Sequence, residues 1–167
     1  MKSITIILFS ALLIGCAGLI PGIEHKSTFK KGYHYGVLSK ALIQNHAAYT
    51  WFPKYYNSYS PNIDEFDLSM LDKTEIKVFM GTWCHDSKRE VPRLYKILDE
   101  LNYDYSNFEI IGLKKDKTGY FKDYSRFEIQ KTPTIIFYQE GRDIGRIVEE
   151  PKGSLESHIN NILTDEL

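Results

Sequence analysis

Cysteine is scarce in this sequence, with Cys16 and Cys84 the only two in 167 residues. So few cysteines exclude a disulfide-rich scaffold, and the chain has no paired His and Cys clusters of the kind that hold structural zinc. His85 and Asp86 follow Cys84 directly, but three consecutive side chains rarely converge on one ion. We therefore predict no metal site and no cofactor.

A surplus of either charge is also missing. Twenty-one basic and 22 acidic residues are interleaved along the chain and give a formal net charge of -1. A nucleic-acid-binding protein would usually concentrate basic residues, so we expect no nucleic-acid partner. The content of 43% hydrophobic and 26% charged residues is that of an ordinary globular protein, and the length suits one domain with a short extension.

No apolar run reaches the roughly twenty residues that a membrane-spanning helix needs. The most apolar stretch, from Ile4 to Ile14, follows Lys2 and has the length of a signal peptide. It leads into Gly15-Cys16, and this string resembles the bacterial lipobox, in which the cysteine is acylated after the signal is cut. We therefore predict a signal peptide over 1–15, lipidation of Cys16 and a tether over 16–32.

The lipobox resemblance implies a location in the cell envelope. Acyl chains would hold the protein on a bacterial membrane, with its folded part on the periplasmic or extracellular side. Because Cys16 would then carry lipid, Cys84 is the single remaining thiol. A disulfide within the mature chain is excluded, so Cys84 is inert, reactive or paired with another molecule.

The rest of the chain divides into an aromatic-rich N-terminal extension over 33–59 and a domain over 60–167. A helix is predicted over Val37 to Tyr49, with Pro53 as its end, and another after Ser60-Pro61. The following segments alternate between apolar runs typical of strands and apolar stripes at helical spacing. The predicted order is helix, strand, helix, strand, helix, strand, strand, helix, which is typical of an α/β fold.

A helix start predicted around the cysteine is the most informative local feature. The apolar run Ile76 to Met80 predicts a buried strand, and the stripe from Val91 to Leu101 predicts a helix. Between them lies the segment Gly81 to Ser87, with Cys84 at its centre. Backbone N–H groups and the helix dipole favour negative charge at a helix N-terminus, and nucleophilic cysteines often lie there.

Trp83-Cys84-x-x-Ser87 resembles the Trp-Cys-x-x-Cys motif of the thioredoxin superfamily, with serine in place of the second cysteine. Pro92 lies eight residues after Cys84, where thioredoxins carry a proline in the active-site helix, and Thr132-Pro133-Thr134 resembles their cis-proline loop. The resemblance extends from about residue 60 to 163. Together with the lipobox, the Trp-Cys-x-Asp-Ser string makes the chain similar to bacterial thioredoxin-family lipoproteins. It implies a thioredoxin-like fold, with a central mixed sheet flanked by helices.

The resemblance also implies roles for individual residues. Cys84 would be the nucleophile and Ser87 a hydrogen-bond donor to its thiolate, while Trp83, Thr132 and Pro133 would bind substrate. His85 and Asp86 replace the small residues usual between the two cysteines, and we expect both to modulate the ionisation of the thiol. His85 would favour the thiolate when charged, whereas Asp86 would oppose it and also cap the helix.

Two functions remain open from the sequence. The first is a monothiol thiol-disulfide oxidoreductase that acts on thiols or disulfides of cell-envelope proteins. Because Ser87 cannot resolve a mixed disulfide, such an enzyme needs a resolving thiol from outside. The second is a non-catalytic binding module, in which the groove around Trp83 and Pro133 grips a partner protein without turnover. A peroxide-reducing thiol is a weaker third possibility, because no arginine and threonine can be placed near Cys84.

Overall fold

The computed structural model describes residues 27–64, 66, 68–118 and 124–164. The predicted signal peptide, Cys16 and the tether as far as residue 26 lie outside these ranges. The last part of the predicted tether, 27–32, forms a strand and the turn that follows it. Regular structure therefore begins at residue 27, before the start of the extension predicted at residue 33.

A six-stranded mixed sheet forms the centre of the molecule, in the order β1-β2-β4-β3-β5-β6. Strands β3 and β4 are parallel, and every other neighbouring pair is antiparallel. This arrangement confirms the predicted α/β class and mixed sheet. The strands are β1 (Ser27–Lys30), β2 (Tyr33–Val37), β3 (Glu75–Met80), β4 (Phe108–Gly112), β5 (Thr134–Gln139) and β6 (Arg142–Val148).

In the described ranges five α-helices accompany the sheet: α1 (Lys40–Asn45), α2 (Trp51–Asn57), α3 (Leu68–Leu71), α4 (His85–Glu100) and α5 (Leu155–Leu163). Helix α4 is the one that the apolar stripe predicts, and its buried face includes Val91, Leu94 and Leu98. Pro92 lies inside it, as expected. Two short 3-10 helices cover Tyr105–Asn107 and Tyr124–Phe127.

The aromatic-rich segment 33–59 belongs to the same sheet and core as the rest of the fold. Strand β2 pairs with β4, where Gly36 lies opposite Gly112. Phe52 on α2 is buried, and its ring lies 5.9 Å from that of Tyr95 on α4. The boundary predicted at residue 60 therefore does not separate two structural units among the described residues.

Local structure in this segment differs from the prediction. The expected helix from Val37 to Tyr49 is limited to α1, because Tyr33–Val37 extends to pair with β4 and Ser39 then caps the helix. Pro53 does not end a helix but lies in the first turn of α2. Proline is accommodated there because the first N–H groups of a helix have no intrahelical acceptor.

The helix expected after Ser60-Pro61 also differs, because the structure places its start later. Ser60 and Pro61 lie in irregular backbone, and the next described helix is α3 at Leu68. Hydrogen bonds to Glu156 on α5 hold this irregular segment, one from the Tyr59 hydroxyl at 2.8 Å and one from the Asn62 N–H at 3.1 Å. Contacts with a distant helix thus compete with the local helical pattern.

The carboxylate of Asp99 ties α4 to three other elements. It pairs with Lys40 on α1 and accepts hydrogen bonds from the hydroxyls of Tyr56 at 2.6 Å and Tyr105 at 2.7 Å. Partial burial acts to raise the pKa of Asp99, but the hydrogen bonds from these three partners outweigh it and lower the pKa. Burial and the bond to Asp99 raise the pKa of Tyr56 to about 12.

We expect Asp99→Asn to lower the free energy of unfolding at neutral pH by about 2 kcal/mol, because it removes a hydrogen-bonded ion pair. The folded-state pKa of Asp99 is depressed, so this stabilisation is complete above the unfolded pKa of about 4 and is lost as the pH falls through the folded pKa. Urea denaturation at pH 7 and near pH 3 should therefore give a smaller difference at the lower pH. The exposed control Asp72→Asn should change stability little at either pH; an equal loss at both pH values would contradict the assignment.

Candidate active site

Cys84 occupies the point where the chain turns from β3 into α4. Strand β3 ends at Met80, and the Cys84 N–H donates to the Gly81 carbonyl at 2.8 Å, which closes a tight turn. Cys84 is the N-cap residue of α4, with extended backbone, and no side chain caps this end of the helix. The residue is partly exposed. Its thiol therefore lies at the positive end of the helix dipole and within reach of a partner molecule.

The structure brings Cys84 and the loop of Pro133 together. The Cys84 thiol donates a hydrogen bond to the Thr132 carbonyl at 3.0 Å, and the Thr132-Pro133 peptide bond is cis. The loop is fixed from the other side, because the Glu149 N–H donates to the Pro133 carbonyl at 2.8 Å. The Thr134 hydroxyl also donates to the Lys131 carbonyl at 2.8 Å. Three residues predicted at the site, Cys84, Thr132 and Pro133, thus share one locus.

Trp83 forms a wall beside the loop that leads to Cys84. Its indole N–H donates to the Leu113 carbonyl at 2.9 Å, just beyond the end of β4. The ring lies against Gly81: a Cβ atom there would be 2.6 Å from Cε2 and 2.8 Å from Cζ2 of Trp83. The ammonium group of Lys117 lies over this wall, 5.2 Å from a Trp83 ring centroid. The position of the Trp83 ring therefore requires a residue without a Cβ atom at position 81.

Known proteins that this chain resembles in sequence include thioredoxins, although no family model matches it. Thioredoxin of Staphylococcus aureus is 28% identical over 93 residues, which cover 54% of this chain and 84% of the relative. The structure adds a strand–cysteine–helix junction and an opposing cis-proline loop. The chain has a thioredoxin-like fold. Its sequence similarity supports membership of the thioredoxin superfamily.

Solved structures with a similar fold include a protein of unknown function from Pseudomonas aeruginosa, with a TM-score of 0.44 and 17% identity over 76% of this chain and 82% of that one. Mitochondrial thioredoxin 3 of Saccharomyces cerevisiae has a TM-score of 0.39 and 19% identity, covering 66% of this chain and 97% of its own.

Ser87 in this thioredoxin-like site does not make the contact predicted for it. It is fully buried, and its hydroxyl oxygen accepts a hydrogen bond from the Gly81 N–H at 3.1 Å. Among the described residues no hydrogen bond joins it to Cys84, whose thiol is directed to Thr132 instead. The serine therefore fastens the start of α4 to the loop that precedes the cysteine, a role that its place in the motif does not reveal.

His85 and Asp86 contact each other, and Asp86 also contacts a neighbouring arginine. The side chain of His85 is 76% exposed, and its Nδ1 lies 3.4 Å from Asp86 Oδ1. Asp86 also pairs with Arg89 at 3.2 Å. Asp86 lies in the first turn and is not the cap, which is Cys84. An acidic side chain in the first turn still interacts favourably with the helix dipole, so Asp86 is expected to stabilise α4 without being its cap.

His34, Tyr49 and Thr82 form a buried polar network beneath the thioredoxin-like site, which no pattern in the sequence predicted. The Tyr49 hydroxyl donates to the Thr82 hydroxyl at 3.1 Å and lies 2.6 Å from Nδ1 of His34. The backbone N–H of His34 donates to both hydroxyl oxygens. Burial lowers the pKa of His34, and the neighbouring charge of His46 lowers it further. The network joins β2 and the segment before α2 to the residue two positions before Cys84.

Two further properties bear on the predictions. Within the described ranges, no group of three or more His, Cys, Asp or Glu side chains is arranged to hold a metal ion. A search of the same ranges for a helix long and apolar enough to cross a membrane finds none.

We expect Gly81→Ala to displace the Trp83 ring, because the new methyl group would overlap three of its atoms. The free energy of unfolding should fall by about 1–3 kcal/mol, as for other overpacked sites. The comparison is a double-mutant cycle by urea denaturation with Trp83→Ala, which removes the ring. If the glycine is required by the ring, alanine at 81 should cost much less stability in the Trp83→Ala background. The same cost in both backgrounds would contradict this explanation.

Proposed function

We propose that this protein is a membrane-anchored monothiol thiol-disulfide oxidoreductase acting on cell-envelope proteins. The observation that carries the proposal is the partly exposed Cys84 thiol at the start of α4, hydrogen-bonded at 3.0 Å to the loop of the cis peptide bond at Pro133. The sulfur is accessible to a disulfide, and the helix dipole favours the negative charge that a nucleophilic thiolate carries. The similarity to thioredoxins supports this class of chemistry.

The first step is attack of the Cys84 thiolate on one sulfur of a target disulfide. A bond forms between Cys84 and that sulfur while the target's S–S bond breaks, and the second target sulfur leaves as a thiolate that takes up a proton. Cys84 is oxidised into a mixed disulfide, and one target sulfur is reduced. The Thr132-Pro133 loop contacts the sulfur and Trp83 precedes Cys84 in the chain, so they are the residues we propose to position the substrate chain.

Release of the target needs a thiol that the site does not hold. Ser87 occupies the second cysteine position, and its hydroxyl cannot attack a disulfide. The thiolate of a small external thiol can attack the target sulfur of the mixed disulfide, which frees Cys84 as a thiolate and leaves the external thiol bonded to the target. A second external thiol then releases the reduced target and forms the external disulfide. Alternatively, the free thiol of the target attacks and re-forms a target disulfide.

The membrane anchor rests on the N-terminal sequence. The apolar run from Ile4 to Ile14 ends at Gly15-Cys16, the string that resembles a lipobox. An acylated Cys16 would hold Cys84 near the membrane surface on the periplasmic or extracellular side, where proteins with disulfides are found. Cys16→Ser should release the chain from the membrane fraction.

A non-catalytic binding module is the second candidate. Ser87 is fully buried and committed to the Gly81 N–H, so the site is built without a resolving group. In that case Trp83 and Pro133 would hold a partner chain through contacts alone.

The experiment that separates the two uses the full chain with Cys16→Ser, in which Cys84 is the only thiol. It is mixed with a peptide that carries one disulfide and analysed by non-reducing mass spectrometry. We expect a covalent adduct on Cys84 that disappears when a small monothiol is added, with release of reduced peptide. A peptide that binds without forming an adduct would favour the binding module.

A further inference from the structure

Five lysines form a cationic patch next to Trp83. One is the last residue of β1, one lies in the turn between β1 and β2, and three come from the loop after β4. The pairing of β2 with β4 brings these two segments side by side, since Gly36 lies opposite Gly112. We call this surface the lysine patch; it consists of Lys30, Lys31, Lys114, Lys115 and Lys117.

Two adjoining grooves run through the lysine patch and share Lys31, Tyr33 and Lys114 in their walls. The ammonium group of Lys114 lies over the ring of Tyr35, 5.1 Å from its centroid. Lys30, Lys31 and Lys115 are exposed. The patch thus offers cationic groups to a partner, next to the partly exposed side chains of Tyr33 and Tyr35.

Carboxylates balance only part of the positive charge of the patch within the described part of the chain. No ion pair there joins any of the five lysines to a carboxylate. Asp116 is the one acid in the groove walls. Its carboxylate accepts hydrogen bonds from the Thr118 N–H at 3.0 Å and hydroxyl at 2.8 Å, and it also interacts with the positive charge of Lys114, so the other four lysines keep their charge unbalanced. The patch therefore presents a positive potential that a partner with acidic groups would meet.

Lys117 connects this patch to the active site, because its ammonium group lies over the ring of Trp83, the neighbour of Cys84. We infer that the lysine patch selects substrates, namely polypeptides that carry aspartate or glutamate residues close to the disulfide that Cys84 attacks. The inference rests on the proposed exchange chemistry. A polypeptide is favoured over a membrane surface because the patch continues to Trp83, the residue before Cys84, so that a flat bilayer lying on it would hinder access to the cysteine.

The test is equilibrium binding, so that it does not depend on catalysis. The probes are two fluorescent peptides with one serine in place of the target cysteine, flanked by glutamates in one and by glutamines in the other. Binding to the full chain carrying Cys84→Ser is followed by fluorescence anisotropy. We expect about five-fold tighter binding of the glutamate peptide at low salt, from several exposed charge pairs, and a smaller difference at high salt.

Two triple variants locate the effect. Lys30→Gln, Lys31→Gln and Lys115→Gln together should abolish the preference for the glutamate peptide. The matched control, with Lys54→Gln, Lys73→Gln and Lys152→Gln, removes the same charge from exposed positions on other elements and should keep it.

Three results would overturn the inference: equal binding of the two peptides, equal loss in both triple variants, or a patch variant that loses only its binding to phosphatidylglycerol vesicles. If the glutamate preference is present but the chain with Cys84 forms no adduct with a disulfide peptide, the proposed oxidoreductase function fails while the binding site stands.

Discussion

Replacement of Cys84 with serine is expected to abolish mixed disulfides between this protein and its targets. A hydroxyl cannot replace the thiolate as the group that attacks a disulfide, so the expected loss is complete. The fold should survive, because a serine hydroxyl at this position can still donate to the Thr132 carbonyl that the thiol now contacts at 3.0 Å. Cells expressing the tagged protein would be treated with acid to stop exchange, and adducts would be separated on non-reducing gels.

Cys16→Ser serves as the control for this experiment. It removes the predicted lipid site and keeps Cys84, so adducts should remain although their partners change with location. The Cys84→Ser protein should also unfold at nearly the same urea concentration as the wild type, which separates lost chemistry from lost structure. Intact adducts in Cys84→Ser would rule out Cys84 as the nucleophile.

The parts of the fold that the sequence could predict are those with strong local patterns. The apolar stripe of α4 and the short apolar run of β3 each identify their own element, and they place Cys84 at the junction between them. The hairpin of β5 and β6 follows from the turn at Gly141. The proximity of Cys84 to Pro133 could be predicted only from the resemblance to thioredoxins, since 48 positions separate Cys84 from Thr132 along the chain.

Long-range contacts explain what the sequence could not predict. Residues 33–37 become a strand because β1 pairs with Tyr33 to Gly36 and β4 pairs with Gly36 and Val37. The bond from Tyr49 to Thr82 spans 33 positions, so an aromatic-rich extension gave no sign that it supports the cysteine loop. Local propensity is a weak guide where pairing and packing decide the outcome.

The lysine patch also depends on a long-range pairing that local sequence does not predict. Its members fall in two short groups, at 30–31 and at 114–117, and neither group alone departs from the even distribution of charge along the chain. Pairing of β2 with β4 turns two minor clusters into one cationic surface. A balanced net charge for the whole chain therefore does not exclude a local cationic surface that binds acidic partners.

Ser87→Cys is expected to convert the monothiol site into a dithiol site that reduces disulfides with turnover. Position 87 lies three residues after Cys84 at the start of α4, so the two sulfurs would be neighbours on the same helix turn. A resolving thiol held in place acts at a high effective concentration, and the rate of insulin reduction with a dithiol reductant should rise by roughly tenfold or more. Because Ser87 is buried and bonded to the Gly81 N–H, cysteine there should cost about 1 kcal/mol of stability.

The control for this gain is the double variant Cys84→Ser and Ser87→Cys, which keeps the introduced thiol but lacks the accessible nucleophile. It should show no turnover, because position 87 is fully buried and cannot reach a target disulfide on its own. Turnover in the double variant would mean that the buried sulfur reacts directly and would contradict the assignment of Cys84 as the attacking group. If the single variant Ser87→Cys gains no activity although its oxidised form contains a disulfide between Cys84 and the introduced thiol, the groove beside Trp83 does not admit disulfide substrates, and the binding module becomes the better interpretation.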